Sequence, residues 1–167
     1  MKKTAFVLFV LSLLLLISCT GEPETQNSVE IANPIKQVNA AADFEALGVY
    51  IEAPEGAENV SYSTISDFAA QIRFTLDENE YTFRAALSDE DISGVYAAFN
   101  DEAKSISACG EEKSVTIDVK TVKDNGGALA SWRYGDGIFT LFSPTVNDLD
   151  QMGDLALVLS YDLSDVR

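Results

Sequence analysis

The chain has 167 residues, of which 27 are acidic and 11 are basic, so its formal net charge is −16 at pH 7. Such a surface repels nucleic acid phosphates and anionic lipid headgroups, and this argues against both as partners. The sequence contains no histidine, which excludes Ser-His-Asp and Cys-His catalysis and the common zinc sites built on imidazole.

The first 18 residues have the layout of a bacterial lipoprotein signal peptide. Lys2 and Lys3 precede an apolar run over residues 5–17, which is shorter than the roughly 20 residues needed to span a bilayer. The run ends in Leu-Ile-Ser-Cys at positions 16–19, a tetrapeptide that resembles a lipobox. By that resemblance, Cys19 would carry a diacylglycerol, with fatty acids such as palmitate, and would begin the mature protein. Two acyl chains are enough for stable membrane anchoring.

The residues after Cys19 have the composition of a flexible tether. Residues 20–33 are mostly small, polar or acidic, and such a segment would hold a following domain about 20 Å from the bilayer. We therefore expect a signal peptide over 1–18, a lipidated cysteine and tether over 19–33, and one domain over 34–167. The domain would lie on the extracytoplasmic face of the cell membrane, and an uncleaved anchor helix would leave it on the same side.

The first half of this domain is predicted to contain one short helix and four strands. Asn39 is suited to cap a helix over 40–47, and Gly48 is suited to end it. Alternating apolar and polar residues predict a short strand over 49–53. Further strands are predicted over 59–66, 68–76 and 81–87, the last two joined by a hairpin loop over 77–80, and a helical turn is predicted to begin at Ser88 and to end at Gly94.

The second half is predicted to contain three strands and a helix. The segment that follows Gly94, up to residue 112, is polar and ambiguous. Strands are predicted over 115–121, 128–134 and 138–142, separated by glycine-rich turns. Asn147 is suited to cap a last helix that runs to about Tyr161 and has apolar residues along one face. These elements predict an α+β fold, in which an antiparallel sheet of two three-strand meanders has its helices packed on one face.

The order of these elements resembles that of DUF4367-type domains. The resemblance covers roughly residues 33–161 and rests on packing and turn motifs at residues 33–35, 47–51, 54, 84, 88–94, 130–132 and 135–137. Domains of this type occur in Gram-positive envelope lipoproteins and in the outer parts of some anti-sigma-factor-like proteins. The resemblance implies a place in the cell envelope and supplies no catalytic residues.

The best candidate for a ligand site is the predicted hairpin that carries the only tryptophan. Trp132, Tyr134 and Asp136 could present an aromatic platform with a carboxylate at its edge to a peptide or a sugar. Trp132 and Tyr134 share one face of their strand, however, and if a helix covers that face, Trp132 is a core residue.

Three arginines on predicted strands offer a second candidate. If Arg73, Arg84 and Arg133 share the exposed face, they could bind a carboxylate; salt bridges to neighbouring acids are the alternative. No acidic cluster has the spacing of a calcium-binding loop, and the acids are too numerous for any carboxylate pair to indicate catalysis. We expect no catalytic residues, no metal and no cofactor.

The sequence thus favours a membrane-anchored lipoprotein that works as a non-catalytic binding module of the envelope. Its expected partners are the membrane, through the N-terminal lipid, and an envelope protein, peptide or sugar. Two alternatives remain, namely an extracytoplasmic sensor domain of envelope signalling and a carboxylate-dependent hydrolase.

Overall fold

A computed structural model describes residues 34–109 and 114–162, which fall within one compact unit over residues 33–167. The predicted signal peptide, Cys19 and the tether lie outside the described residues. Across the two described ranges, no helix has the length and apolarity that crossing a membrane requires.

The described residues form one open antiparallel sheet of eight strands, with a seven-residue 3₁₀ helix, an α-helix and a single 3₁₀ turn, Lys123–Asn125, between β6 and β7. The sheet order is β1-β2-β3-β4-β8-β7-β6-β5, so each half is a meander of four strands and the halves join where β4 pairs with β8. The α+β class and the antiparallel sheet are confirmed. The strands are β1 Ile35–Val38, β2 Glu58–Ile65, β3 Ala69–Leu76, β4 Asn79–Ala86, β5 Phe99–Cys109, β6 Ser114–Val122, β7 Ala128–Tyr134 and β8 Gly137–Ser143.

Each meander has one strand more than the three that the sequence predicts. The additional strands are β1 and β5, and they form the two edges of the sheet. The strand predicted over 49–53 is absent. Val49 and Ile51 are buried, at 7% and 0% exposure, so their alternation reflects packing against the core without pairing in the sheet.

Both helices pack on one face of the sheet, which we call the core face. The 3₁₀ helix Ala41–Leu47 buries Phe44 against this face, where its ring lies 6.1 Å from that of Tyr62 on β2. The α-helix α1, Leu149–Asp162, packs on β5, β6 and β7. The buried apolar side chains of α1 are Met152, Ala156 and Leu159, as the apolar pattern predicts, and they belong to the same core cluster as Phe44.

The N-caps of the two helices differ from the predicted ones by one residue, whereas Gly48 ends the 3₁₀ helix as predicted. Ala40 is the N-cap of the 3₁₀ helix, and Asp43 accepts the N–H groups of Asn39 and Ala40. Asp148 caps α1, because its Oδ1 accepts the N–H groups of Asp150 and Gln151 at 2.8 and 3.3 Å. Asn147 instead accepts the N–H of Gly127, so its side chain joins α1 to the β6–β7 connection.

Candidate functional site

The face of the sheet opposite the helices, which we call the open face, carries a row of polar residues across all eight strands. Residues paired in an antiparallel ladder point to the same side of the sheet. One such row can be followed from β1 to β5 in the strand register. Its members are Gln37, Ser63, Gln71, Arg84, Thr140, Ser131, Asp118 and Ser105.

Hydrogen bonds connect neighbours along this polar row. Arg84 Nε donates to Gln71 Oε1 at 2.8 Å, and Gln71 Nε2 donates to Ser63 Oγ at 3.0 Å. Near the other edge, Ser105 Oγ donates to Asp118 Oδ1 at 2.6 Å. Ser63 and Gln71 are 2% and 4% exposed, so these two residues form a buried part of the network on the β1 side of the sheet, which we call its left side. Gln37 and, on the right side toward β5, Asp118 are exposed.

The segment between β4 and β5, residues 87–98, crosses the open face, and we call it the strap. Ile92 packs on the sheet with Ala69 and Ala86, and its carbonyl oxygen accepts a hydrogen bond of 2.9 Å from Arg84 Nη1. Asp89 forms an ion pair of 3.0 Å with Arg133 on β7. The strap therefore covers the middle of the open face and leaves the two sides of that face accessible.

The strap contains bends in place of the predicted helical turn. Ser88 Oγ accepts the N–H of Glu90, Asp91 Oδ1 accepts that of Ser93, and Ser93 Oγ accepts that of Val95. Short polar side chains that bond the backbone two residues ahead compete with helix formation. The capping pattern at Ser88 therefore indicates turns, not a helix.

Arg84 is the residue that fixes the strap to the sheet. Burial lowers the pKa of its guanidinium, and the positive charge of Arg73 lowers it further, while Tyr96 and Asp91 raise it. Arg84 is half-buried, and its guanidinium lies against the strap. Its role is structural, because two of its three nitrogens are engaged by Gln71 and Ile92.

The structure places Trp132 in the core, at 3% exposure. Its ring stacks with those of Phe83 and Phe139, each at a centroid distance of 5.7 Å, and its Nε1 is buried without a hydrogen-bond partner within the described ranges. The ring therefore offers no exposed platform, and the alternative of a core residue describes its environment. Tyr134 is half-buried and Asp136 is exposed, so the structure does not bring these three residues together on one accessible surface.

The open face carries all three strand arginines, Arg73, Arg84 and Arg133. This is the arrangement that the predicted carboxylate site required. Their environments differ. Arg84 is bound to Gln71 and to the strap, and Arg133 is paired with Asp89. Among the described residues, no hydrogen bond or ion pair engages the exposed guanidinium of Arg73.

Arg73 lines a groove of about 300 Å³ on the left side of the open face, which we call the Arg73 groove. Residues from β2, β3 and β4 and from β8 and its following loop form this groove. They include Ser61, Arg73, Glu80, Thr82, Phe142 and Pro144. The groove therefore combines one cation, one anion, hydroxyl groups and an apolar wall.

A second groove of about 280 Å³ lies on the right side of the open face, between β6, β7 and β8. Asp118 and Arg133 both line it, but Ser105 and Asp89 already engage these two side chains. Its polar groups are therefore less available to a ligand than those of the Arg73 groove.

One other candidate region is less distinctive. A wide polar depression beside the start of α1 is lined by Lys104 and Asp150, which form an ion pair with each other. Within residues 34–109 and 114–162, no group of three or more histidine, cysteine, aspartate or glutamate side chains is arranged to hold a metal ion.

Sequence reasoning identified Arg73 through strand alternation but missed the rest of its groove. The sequence places Glu80 in a predicted loop, and Phe142 and Pro144 lie about 70 residues after Arg73 in the chain. Only the pairing of β4 with β8 brings these residues together. No family model, curated protein or solved structure matches this chain, and the resemblance to DUF4367-type domains therefore stays a prediction.

Proposed function

We propose that this protein is a lipid-anchored extracytoplasmic lipoprotein whose domain acts as a non-catalytic binding module, with the open face as its contact surface. The observation that supports this most is the division of the sheet into two unlike faces. Both helices and the main core occupy one face. The other face carries the polar row and two grooves, and the strap covers only its middle.

The chemistry of the open face favours a polar partner such as an envelope protein, a peptide or a sugar. Hydroxyl, amide and guanidinium groups supply hydrogen bonds that fix the orientation of a bound molecule, and nearby apolar side chains supply contact area. The strongly negative chain favours partners that are neutral or positively charged.

The proposed anchor rests on Cys19 and on the residues before it. We expect metabolic labelling with an alkyne-bearing palmitate to mark the protein, and we expect Cys19→Ser to abolish both the label and retention in the membrane fraction. A Cys109→Ser variant is the matched control, and it should keep both. Labelling that survives Cys19→Ser would contradict the anchor.

Site-specific photocrosslinking in cells tests the contact surface. A photoreactive residue at Thr116 lies on the exposed right side of the open face, and one at Asp154 lies on the exposed outer side of α1. We expect crosslinks to an envelope component from position 116 and not from position 154. No crosslink from position 116, or equal yields from both, would argue against the open face as the contact surface.

A further inference from the structure

We infer that the Arg73 groove binds a small zwitterion of the amino acid class, with its carboxylate on Arg73 and its ammonium group toward Glu80. This inference rests on the proposed binding function and names a ligand class for one part of the open face.

The first observation that supports this inference concerns the hydrogen-bond donors of the Arg73 guanidinium. An arginine guanidinium has five N–H donors in a planar fork that matches a carboxylate in a bidentate arrangement. The other two strand arginines on the open face use theirs within the protein, whereas the guanidinium of Arg73 makes no hydrogen bond or ion pair with any described residue. Arg73 also lies diagonally across the β3–β4 ladder from Arg84, whose positive charge makes this end of the groove more attractive to an anion.

The second support is the position of Glu80. The register pairs Arg73 with Thr82 and Thr75 with Glu80, so Arg73 and Glu80 are diagonal neighbours on the same face of the sheet. Diagonal neighbours on a ladder lie about 7–8 Å apart at their Cα atoms. The two side chains nevertheless form no ion pair in the structure. A cation and an anion side by side, neither paired with an oppositely charged group among the described residues, complement a ligand that carries both charges.

The net charge of the chain separates a zwitterion from a simple carboxylate. A chain of net charge −16 opposes the approach of a free anion, whereas a zwitterion has no net charge and is not repelled. It still places its carboxylate on Arg73. The same field would favour a simple cation, but a cation would leave Arg73 unpaired.

The size and the apolar wall of the groove favour a small ligand with an aliphatic side chain. Its volume of about 300 Å³ lies at the lower end of the range for small-molecule sites, which suits a single amino acid better than a larger ligand. Half-buried Phe142 and exposed Pro144 line the same groove. An amino acid with an aliphatic side chain can therefore place that side chain on this wall.

Isothermal titration of the full chain in detergent with leucine, N-acetylleucine and leucinamide tests this inference. The second probe lacks the ammonium group and the third lacks the carboxylate. We expect saturable binding of leucine and affinities lower by about tenfold or more for both blocked probes, because each loses one charge-assisted contact. Equal affinities for leucine and N-acetylleucine, or no saturable binding of leucine, would overturn the inference.

Substitutions on the open face identify the groups responsible. We expect Arg73→Gln to weaken leucine binding by about tenfold or more, and Arg133→Gln, on the same face but in the other groove, to change it by less than about twofold. We expect Glu80→Gln to weaken leucine binding but to strengthen that of N-acetylleucine, since a repulsive carboxylate is removed. Unchanged leucine binding in Arg73→Gln would contradict the inference. Because Arg73 is exposed, the melting temperature of the Arg73→Gln variant should stay near that of the original protein. Arg73→Lys provides a second variant, which keeps the positive charge.

The crosslinking experiment described above separates this inference from the proposed function. Position 116 lies outside the Arg73 groove, so its crosslinks report on a partner of the open face and not on leucine. Crosslinks from position 116 in a protein that binds no leucine would refute the zwitterion site and leave the binding module standing. Leucine binding that depends on Arg73 would support the site whatever position 116 captures.

Discussion

The guanidinium of Arg84 lies directly against the backbone of Gly94. A Cβ atom on residue 94 would overlap Arg84 Nη1, and Gly94 also has a positive φ of 66°, a conformation that other residues rarely adopt. Glycine at this position thus allows the strap to approach the sheet closely enough for Arg84 to bond the carbonyl of Ile92.

We expect Gly94→Ala to detach the strap. The substitution costs about 1–2 kcal/mol for the left-handed backbone, and it displaces Arg84 from its hydrogen bonds. Limited proteolysis should cleave residues 87–98 several-fold faster in this variant. Gly135→Ala is the matched control, because Gly135 has a φ of 59° and open space where its Cβ would lie. Equal cleavage rates in the two variants would show that the Arg84 contact does not hold the strap.

A second glycine substitution should be more damaging to the whole domain. Gly127 has a φ of 92°, and a Cβ there would overlap the backbone oxygen of Ser143. Since this neighbour is backbone, a rotamer change cannot relieve the overlap. We expect Gly127→Ala to lower the free energy of unfolding by at least about 2 kcal/mol, measured by urea unfolding, against about 1 kcal/mol for Gly135→Ala. A smaller loss in Gly127→Ala than in Gly135→Ala would contradict this packing.

Two substitutions at Trp132 test its role as a core residue. Trp132→Ala removes the ring between Phe83 and Phe139 and should cost about 3–5 kcal/mol. Trp132→Phe keeps an aromatic ring there and removes the unpartnered Nε1–H, so its cost should be clearly smaller. Urea unfolding followed by circular dichroism measures both. A loss below about 1 kcal/mol in Trp132→Ala would be inconsistent with burial.

The phenol of Tyr81 should make stability depend on pH at alkaline values. Burial raises the pKa of Tyr81, the charge of Asp77 raises it further, and a hydrogen bond with Gln151 opposes them. The raised pKa means that folding favours the protonated phenol. Its contribution to stability is complete below about pH 10, the pKa in the unfolded chain, and is lost as pH rises through the folded pKa.

We therefore expect the free energy of unfolding to fall less steeply above pH 10 in Tyr81→Phe than in the original protein. Phenylalanine keeps the ring that stacks on Phe74 at 5.3 Å. Tyr50 and Lys104, whose pKa values are also raised, contribute equally to both proteins, and their effects cancel in the comparison. Parallel curves above pH 10 would rule out this contribution from Tyr81.

Strand alternation identified the inner strands of the sheet. In β3, Ile72 and Phe74 pack into the core while Arg73 is exposed, and β6 and β7 show the same alternation. A strand with one buried face leaves this signal because side chains alternate between the two faces. The α+β class followed from these strands together with the apolar face of α1.

The edge strands left no such signal. β1 has three exposed residues out of four, and residues 101–103 of β5 are all exposed. Polar edge strands pair through their backbones without burying an alternating apolar face, so composition alone does not distinguish them from loops. At Val49 and Ile51, by contrast, alternation predicted a strand that is absent, because these two side chains are buried directly in the core.

The candidate site was predictable only in part, for a related reason. Alternation placed Arg73, Arg84 and Arg133 on one face of their strands, and the structure confirms that they share it. Of these three guanidinium groups, that of Arg73 has no partner among residues 34–109 and 114–162, because the strap binds Arg84 and Arg133. A long-range contact of this kind leaves no local pattern in a sequence.

The pairing of β4 with β8 has a consequence for how the chain folds. All other strand pairs join neighbours along the chain, whereas this pair links residues 82–86 to residues 138–142. Local pairings form quickly, and a pairing that closes a loop of this length forms more slowly because of its greater entropic cost. We therefore expect each meander to form early and the seam between them to form in the rate-limiting step. The Arg73 groove, which has walls from both meanders, becomes complete only then.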